Sequence, residues 1–159
     1  MKPLPLASTA DSGAANGELS LGTLADVLGF HLARASAVTI ALFERHVGVP
    51  LQLRKVEYSL LLLLQANGPL SPKRLLQALA LSAPNLSLLI DRLEQRGLVR
   101  RERSETDRRS QNIVLTDEGQ ALARRGAEAA PTMERELLDR LTHAERLMLI
   151  ELLRKIGTR

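Results

Sequence analysis

The chain has 159 residues, enough for one domain with appendages, and its 22 basic against 18 acidic side chains leave a net charge of +4. Hydrophobic residues make up 45% of it, yet Phe30, Phe43 and Tyr58 are its only aromatics. The core must therefore be leucine and alanine in packed helices, and modules that stack single-stranded bases or RNA on aromatic rings do not fit. Cysteine is absent, which excludes a disulfide framework, a thiolate zinc site and a cysteine redox sensor.

Residues Met1 to Ser20 are rich in Ala, Ser, Gly and Pro and lack the apolar centre of a signal peptide. A disordered tail over residues 1–22 and a cytoplasmic protein are expected. From Leu24 to about Val47 good helix formers run without proline, with Val27, Leu28, Leu32, Ala35, Val38, Leu42 and Phe43 among the apolar positions, and Pro50 marks the end of the exit loop. A second helix is predicted over Arg54 to Asn67, stopped by Gly68-Pro69. Its run Ser59 to Leu64 is far too short to span a bilayer and reads as a buried segment.

Ser71 to Thr116 reads as helix, turn, helix and basic hairpin. Ser71-Pro72 is a helix start, because serine caps a backbone N–H and proline loses nothing at the first helical position. That helix runs to about Leu79. Ser82 offers a second cap with Pro84 in the first turn. The helix it opens places Leu86, Leu89, Ile90 and Leu93 on one face and stops at Gly97. Two helices joined by so short a turn cross steeply, which projects the second outward as a reading head. Between Arg96 and Arg109 lie six arginines against three acids. Leu98 to Arg103 is expected to pair with Gln111 to Leu115, with Asp107-Arg108-Arg109 at the hairpin tip, where guanidinium groups suit a narrow electronegative minor groove.

Downstream, Thr116 is placed to cap a helix whose first turn holds Asp117 and Glu118, suited to the positive end of its dipole. That helix should run toward Leu141 with a kink at Pro131. Thr142-His143-Ala144-Glu145 spells a capping box for a last helix, lined on one face by Leu149, Leu152, Leu153 and Ile156. A winged core needs only the middle of the chain, so the terminal helices keep apolar faces that a symmetric homodimer would cover. The resulting organisation is mainly α with a small β-hairpin wing. It comprises the tail, an N-terminal dimerisation helix and loop (23–53), a winged helix-turn-helix (54–116) and C-terminal dimerisation helices (117–159).

A two-fold dimer carries two reading heads, so the partner would be a near-palindromic duplex DNA operator with half-sites about 10 base pairs apart. On the second helix of the head, Asn85, Ser87, Leu88 and Arg92 point outward beside the buried stripe. Asn85 can bond adenine, Leu88 can touch a thymine methyl, and Arg92 can reach a base or phosphate or pair within the protein. Lys73 and Arg74 suit backbone phosphates, and Arg108 and Arg109 the minor groove.

The run from Gly68 to Gly119 resembles the winged helix-turn-helix of the MarR family of bacterial transcriptional regulators. The resemblance rests on Asp91-Arg92-Leu93-Glu94, Arg96-Gly97-Leu98-Val99, Asp107-Arg108-Arg109 and Leu115-Thr116-Asp117-Glu118-Gly119 in that order, and upstream on Leu28 to Ser36. It covers roughly Leu24 to Ile156. Leu88 stands where the family commonly has a polar or basic residue. The resemblance implies a dimer built through the terminal helices and a ligand-responsive regulator, most often a repressor. Its effector would be a small aromatic acid, a phenol or a conjugate such as a thioester.

No catalytic constellation is present. His31, His46 and His143 are the only imidazoles, and none lies in an HExxH or nucleophile motif, so neither an enzyme, a metal site nor a cofactor is expected. His31 and Arg34 on the first helix and Tyr58 on the second would offer an imidazole, a cation and a phenol to an aromatic carboxylate if they converge. The competing reading is a constitutive DNA-binding or protein-interaction winged module without a small-molecule effector.

Overall fold

A computed structural model describes residues 19–103 and 111–157. Most of the expected tail and the hairpin tip with Arg108 and Arg109 lie outside the described residues. The chain divides into two units, residues 1–38 and 39–159. Helix α1 (Leu28–Phe43) runs through the division. In the first unit the helix expected from Leu24 is interrupted. Gly22–Asp26 forms a 3-10 turn, Val27 is extended, and only then does α1 begin.

In the second unit, α1 gives way to a π-turn at Glu44–Gly48 and a short helix α2 (Val49–Leu51). Pro50 therefore sits inside α2, at the end of a helical run that continues from α1 through the π-turn, rather than ending a loop. Helices α3 (Lys55–Asn67), α4 (Pro72–Leu79) and α5 (Ala83–Gln95) follow. The serine hydroxyl of Ser71 accepts from Arg74 N–H at 3.4 Å. Ser82 has the extended backbone of an N-cap, but its hydroxyl makes no capping bond. At the end of α5, Gly97 takes φ +67°, with Gly97 N–H on Glu94 O and Leu98 N–H on Leu93 O, both at 2.9 Å. This pair of bonds is a Schellman stop and needs the left-handed glycine.

Strands β1 (Val99–Arg103) and β2 (Gln111–Leu115) pair antiparallel, Val99 opposite Leu115 and Arg103 opposite Gln111. Leu70 adds a one-residue bridge to Ile113. The hairpin's inner residues Val99, Ile113 and Val114 are buried with Leu60, Leu61, Leu64, Leu75, Leu86, Leu89, Ile90 and Leu93. The core is thus the leucine-rich helical one that the composition demands. Helix α6 (Asp117–Leu138) packs on α3 and continues through Pro131 to Leu138. Helix α7 (His143–Gly157) opens with the expected capping box. Thr142 N–H donates to Glu145 Oε2 at 2.7 Å, and Glu145 N–H to Thr142 Oγ1 at 3.3 Å. The Thr142 hydroxyl also donates to Glu145 Oε2 at 2.7 Å, and this bond first, with the Thr142 N–H second, holds the exposed Glu145 carboxyl below its usual range.

The root of the wing is closely packed. Thr116 Oγ1 accepts from Gly119 N–H at 3.0 Å and donates to Gly97 O at 2.6 Å. Thr116 N–H donates to Leu98 O at 3.2 Å. Gly119 is buried, and a Cβ there would stand 1.9 Å from the same Leu98 oxygen. The Leu-Thr-Asp-Glu-Gly run is therefore a joint: a cap, a strand anchor and a glycine that lets helix meet backbone.

Candidate nucleic-acid interface

Helix α5 buries Leu86, Leu89, Ile90 and Leu93 and leaves Asn85, Ser87, Leu88, Arg92 and Gln95 exposed. Asn85, Leu88, Arg92 and Gln95 follow the three-and-four spacing of one helix face. Leu88 is 64% exposed, a large apolar side chain held in water at the centre of a polar stripe. Among the described residues nothing covers it, so it is free to meet a partner surface. Lys73 and Arg74, in the first turn of α4, are also exposed.

Ion pairs hold α5 on two flanks. On one, Arg101 of β1 reaches back to Asp91 at 2.5 Å and to Glu94, whose carboxylate also accepts the Arg101 N–H at 3.3 Å. The hydrogen bond to Asp91, with both carboxylates nearby, raises the Arg101 pKa further and keeps it charged. On the other flank lies Glu57 of α3, which is 2% exposed. It accepts Arg54 N–H at 2.8 Å and faces Arg96 at 3.2 Å and Arg92 at 3.6 Å. Arg92, read from the sequence as a DNA contact, is therefore partly committed within the protein, to Glu57.

Three of these residues escaped the sequence reading. Glu57 and Arg96 are 39 positions apart and Arg101 follows Asp91 by 10. The available signals were a glutamate three residues after the helix start at Arg54, and paired acids at Asp91 and Glu94 ahead of a cationic strand.

The residues suggested for an effector have local partners. In the first unit His31 Nε2 lies 2.7 Å from Ala25 O, and the Arg34 guanidinium lies 5.6 Å from the Phe30 ring centre. In the second, half-buried Tyr58 meets Phe43 edge to face at 5.6 Å and donates weakly to Gly126 O at 3.4 Å. Burial, with the Glu134 carboxylate second, pushes its phenol above the ordinary value. His46 bonds Glu136 of α6 at 2.9 Å, and Arg45 joins the same carboxylate at 3.0 Å. Among the described residues no group of three His, Cys, Asp or Glu side chains is placed to hold a metal ion. No helix among them is long and apolar enough to cross a membrane.

A helix aimed outward beside a basic hairpin, with a stripe of amide, hydroxyl and apolar side chains, is a fitting surface for duplex DNA. Comparison with known proteins agrees. Residues 47–110 match the MarR family. The chain is 33% identical over 140 residues, 87% of its length and 84% of the other's, to a candidate transcriptional regulatory protein for the hcr operon of Thauera aromatica. It is 39% identical over 103 residues to the transcriptional regulator PecS of Dickeya dadantii, covering 63% of this chain and 62% of PecS. Among solved structures it resembles the transcriptional repressor CouR bound to a 23-mer DNA duplex, at 35% identity and a TM-score of 0.80, covering 89% of this chain and 99% of CouR. CouR bound to p-coumaroyl-CoA matches at 34% identity and a TM-score of 0.78. With the winged helix-turn-helix and these relatives together, the chain belongs to the MarR family and is a DNA-binding transcriptional regulator rather than an enzyme.

Proposed function

We propose that the protein is a homodimeric, effector-responsive repressor that works in the cytoplasm and is released from a near-palindromic operator by a small aromatic ligand. The observation that carries the operator reading is the exposed stripe on α5, held against the wing by Arg101. Asn85, Ser87 and Leu88 read bases, Lys73 and Arg74 grip phosphates, and Arg108 and Arg109 enter the flanking minor groove. Apolar residues of α7 support the dimer: Leu147, Met148, Leu149, Leu152 and Ile156 are each at least 45% exposed in the single chain. A lone soluble chain rarely leaves so much of one helix wet. Truncation before Leu149 should weaken dimerisation and lower the melting temperature, and light scattering of a monomer at micromolar concentration would remove the dimer.

The relative bound to p-coumaroyl-CoA supports the ligand class, and the sequence offers such a ligand a cation at Arg34, an imidazole at His31 and a phenol at Tyr58. A ligand lowers operator affinity only by preferring a conformation that cannot engage both half-sites. The test is fluorescence anisotropy on an enriched operator and on random duplex, with and without aromatic acids and their acyl thioesters. Operator preference, loss of binding with one such ligand, and a blunted response in Arg34→Ala are expected. Equal affinity for both duplexes would end the operator reading. No response across the series would leave a constitutive DNA-binding protein.

A further inference from the structure

Among the described residues Glu57 is the one charged side chain buried in the core, and α5 supplies both of its counter-charges. Arg92 and Arg96 are four apart on α5, so their guanidinium groups would repel along one face without an anion between them. Glu57 provides it. The two contacts are unequal. Arg96 approaches to 3.2 Å with 32% of its side chain exposed, whereas Arg92 stands at 3.6 Å with 43% exposed. Arg92 also lies on the exposed face with Asn85 and Leu88. A buried carboxylate stripped of all counter-charge is costly, so an arginine can leave it only if another remains. Here another does: Arg96, helped by the Arg54 N–H at 2.8 Å.

We propose that Glu57 is a positioning residue that holds Arg92 on loan, handing it to a DNA phosphate while Arg96 stays behind to neutralise the buried carboxylate. Arg96 thus serves DNA binding without touching DNA. The inference rests on reading α5 as the DNA-facing helix, and it deepens that reading by naming how one of its cations becomes available.

The experiment is the salt dependence of operator binding by the full-length dimer, since each phosphate contact adds about 1 to the slope of log Kd against log salt. R92Q should lower the slope by about 1 per subunit. R96Q should lower it by the same amount, because Arg92 then becomes the sole guanidinium partner of Glu57 and is retained. R92Q/R96Q should show no further fall, and E57Q/R96Q should recover the wild-type slope. A fall of about 2 per subunit in R92Q/R96Q would place Arg96 on DNA itself and overturn the proposal. So would failure of E57Q to rescue a folded R96Q protein. If E57Q does not fold, comparing R96Q with R92Q/R96Q still decides. An unchanged slope in R92Q would also overturn it, whereas loss of operator preference over random duplex tests the helix assignment separately.

Discussion

Gly119→Ala isolates the joint at the root of the wing. Gly119 lies in the first turn of α6 with an ordinary helical backbone, so helix propensity alone would favour alanine by about 1 kcal/mol. Packing opposes this. The new Cβ would stand 1.9 Å from Leu98 O and 2.9 Å from Leu98 C, both backbone atoms in the segment that leads into β1. No rotamer relieves the contact, so α6 and the strand must separate by more than an ångström. That movement also stretches the Thr116 N–H bond to Leu98 O, now 3.2 Å. Overpacking of this kind costs about 3 kcal/mol, the upper part of its usual range, because the obstacle is main chain. After the propensity gain, a net loss of about 2 kcal/mol remains, or roughly 4–8 °C in melting temperature for a chain of this size. Gly126→Ala is the control. Its Cβ would meet the Tyr58 ring at 3.0 and 3.2 Å, a side chain that can tilt, so its net effect should stay within about 1 kcal/mol of zero. Circular dichroism melts of the three proteins measure the order. A Gly119→Ala protein as stable as Gly126→Ala would show that the helix and strand do not meet this closely.

Arg101→Ala should cut operator affinity by about tenfold, since β1 loses its hold on Asp91 and Glu94, while the melting temperature moves little because the pair is partly solvated; competition anisotropy reads the first and a thermal melt the second. Leu88→Ala should leave stability unchanged, because the side chain is 64% exposed, yet relax the preference at one base pair by about 1–2 kcal/mol; selection on a randomised operator would show no such relaxation if Leu88 never meets a thymine methyl. Tyr58 is the chain's one tyrosine, so phenolate absorbance reports it alone. Its raised pKa puts the half-titration of folded protein above 10.0 and that of denatured protein near 10.0. Because the neutral phenol is favoured on folding, that stability is intact below pH 10 and lost as pH rises through the folded value. Tyr58→Phe should abolish this part of the alkaline loss, and coincident titration of folded and denatured protein would contradict the burial.

Features carried by neighbouring residues are legible in the sequence alone. Thr116 caps α6, Thr142 and Glu145 form their box, and Val99–Arg103 pairs with Gln111–Leu115, because caps and hairpins are settled within a few positions of sequence. The same local rules miscarried where a distant partner decides. The π-turn at Glu44–Gly48 places Arg45 and His46 on Glu136, some 90 residues away, and no periodicity announces it. Glu57 reads locally as a helix-start acid, and it is one, since it accepts the Arg54 N–H. Its burial between two arginines of α5 depends on how α3 and α5 pack. The outward face of α5 was legible as the complement of its leucines, but which of its cations are already engaged was not.

The pattern of restraint around α5 bears on how such a head can be switched. Arg101 holds it to the wing, Glu57 holds it to α3, and its leucines fill the core, so the helix cannot swing independently of the unit. A packed core of this kind moves as a body or not at all. Helix α6 is rooted at Leu98 through Thr116 and Gly119 and touched midway by Tyr58 at Gly126. Any force arriving along α6 is therefore delivered to the strand that bears the wing, with little slack to absorb it. If the protein is the effector-responsive dimer proposed above, its release from DNA would be a change in the spacing of two rigid heads rather than a reshaping of either reading surface.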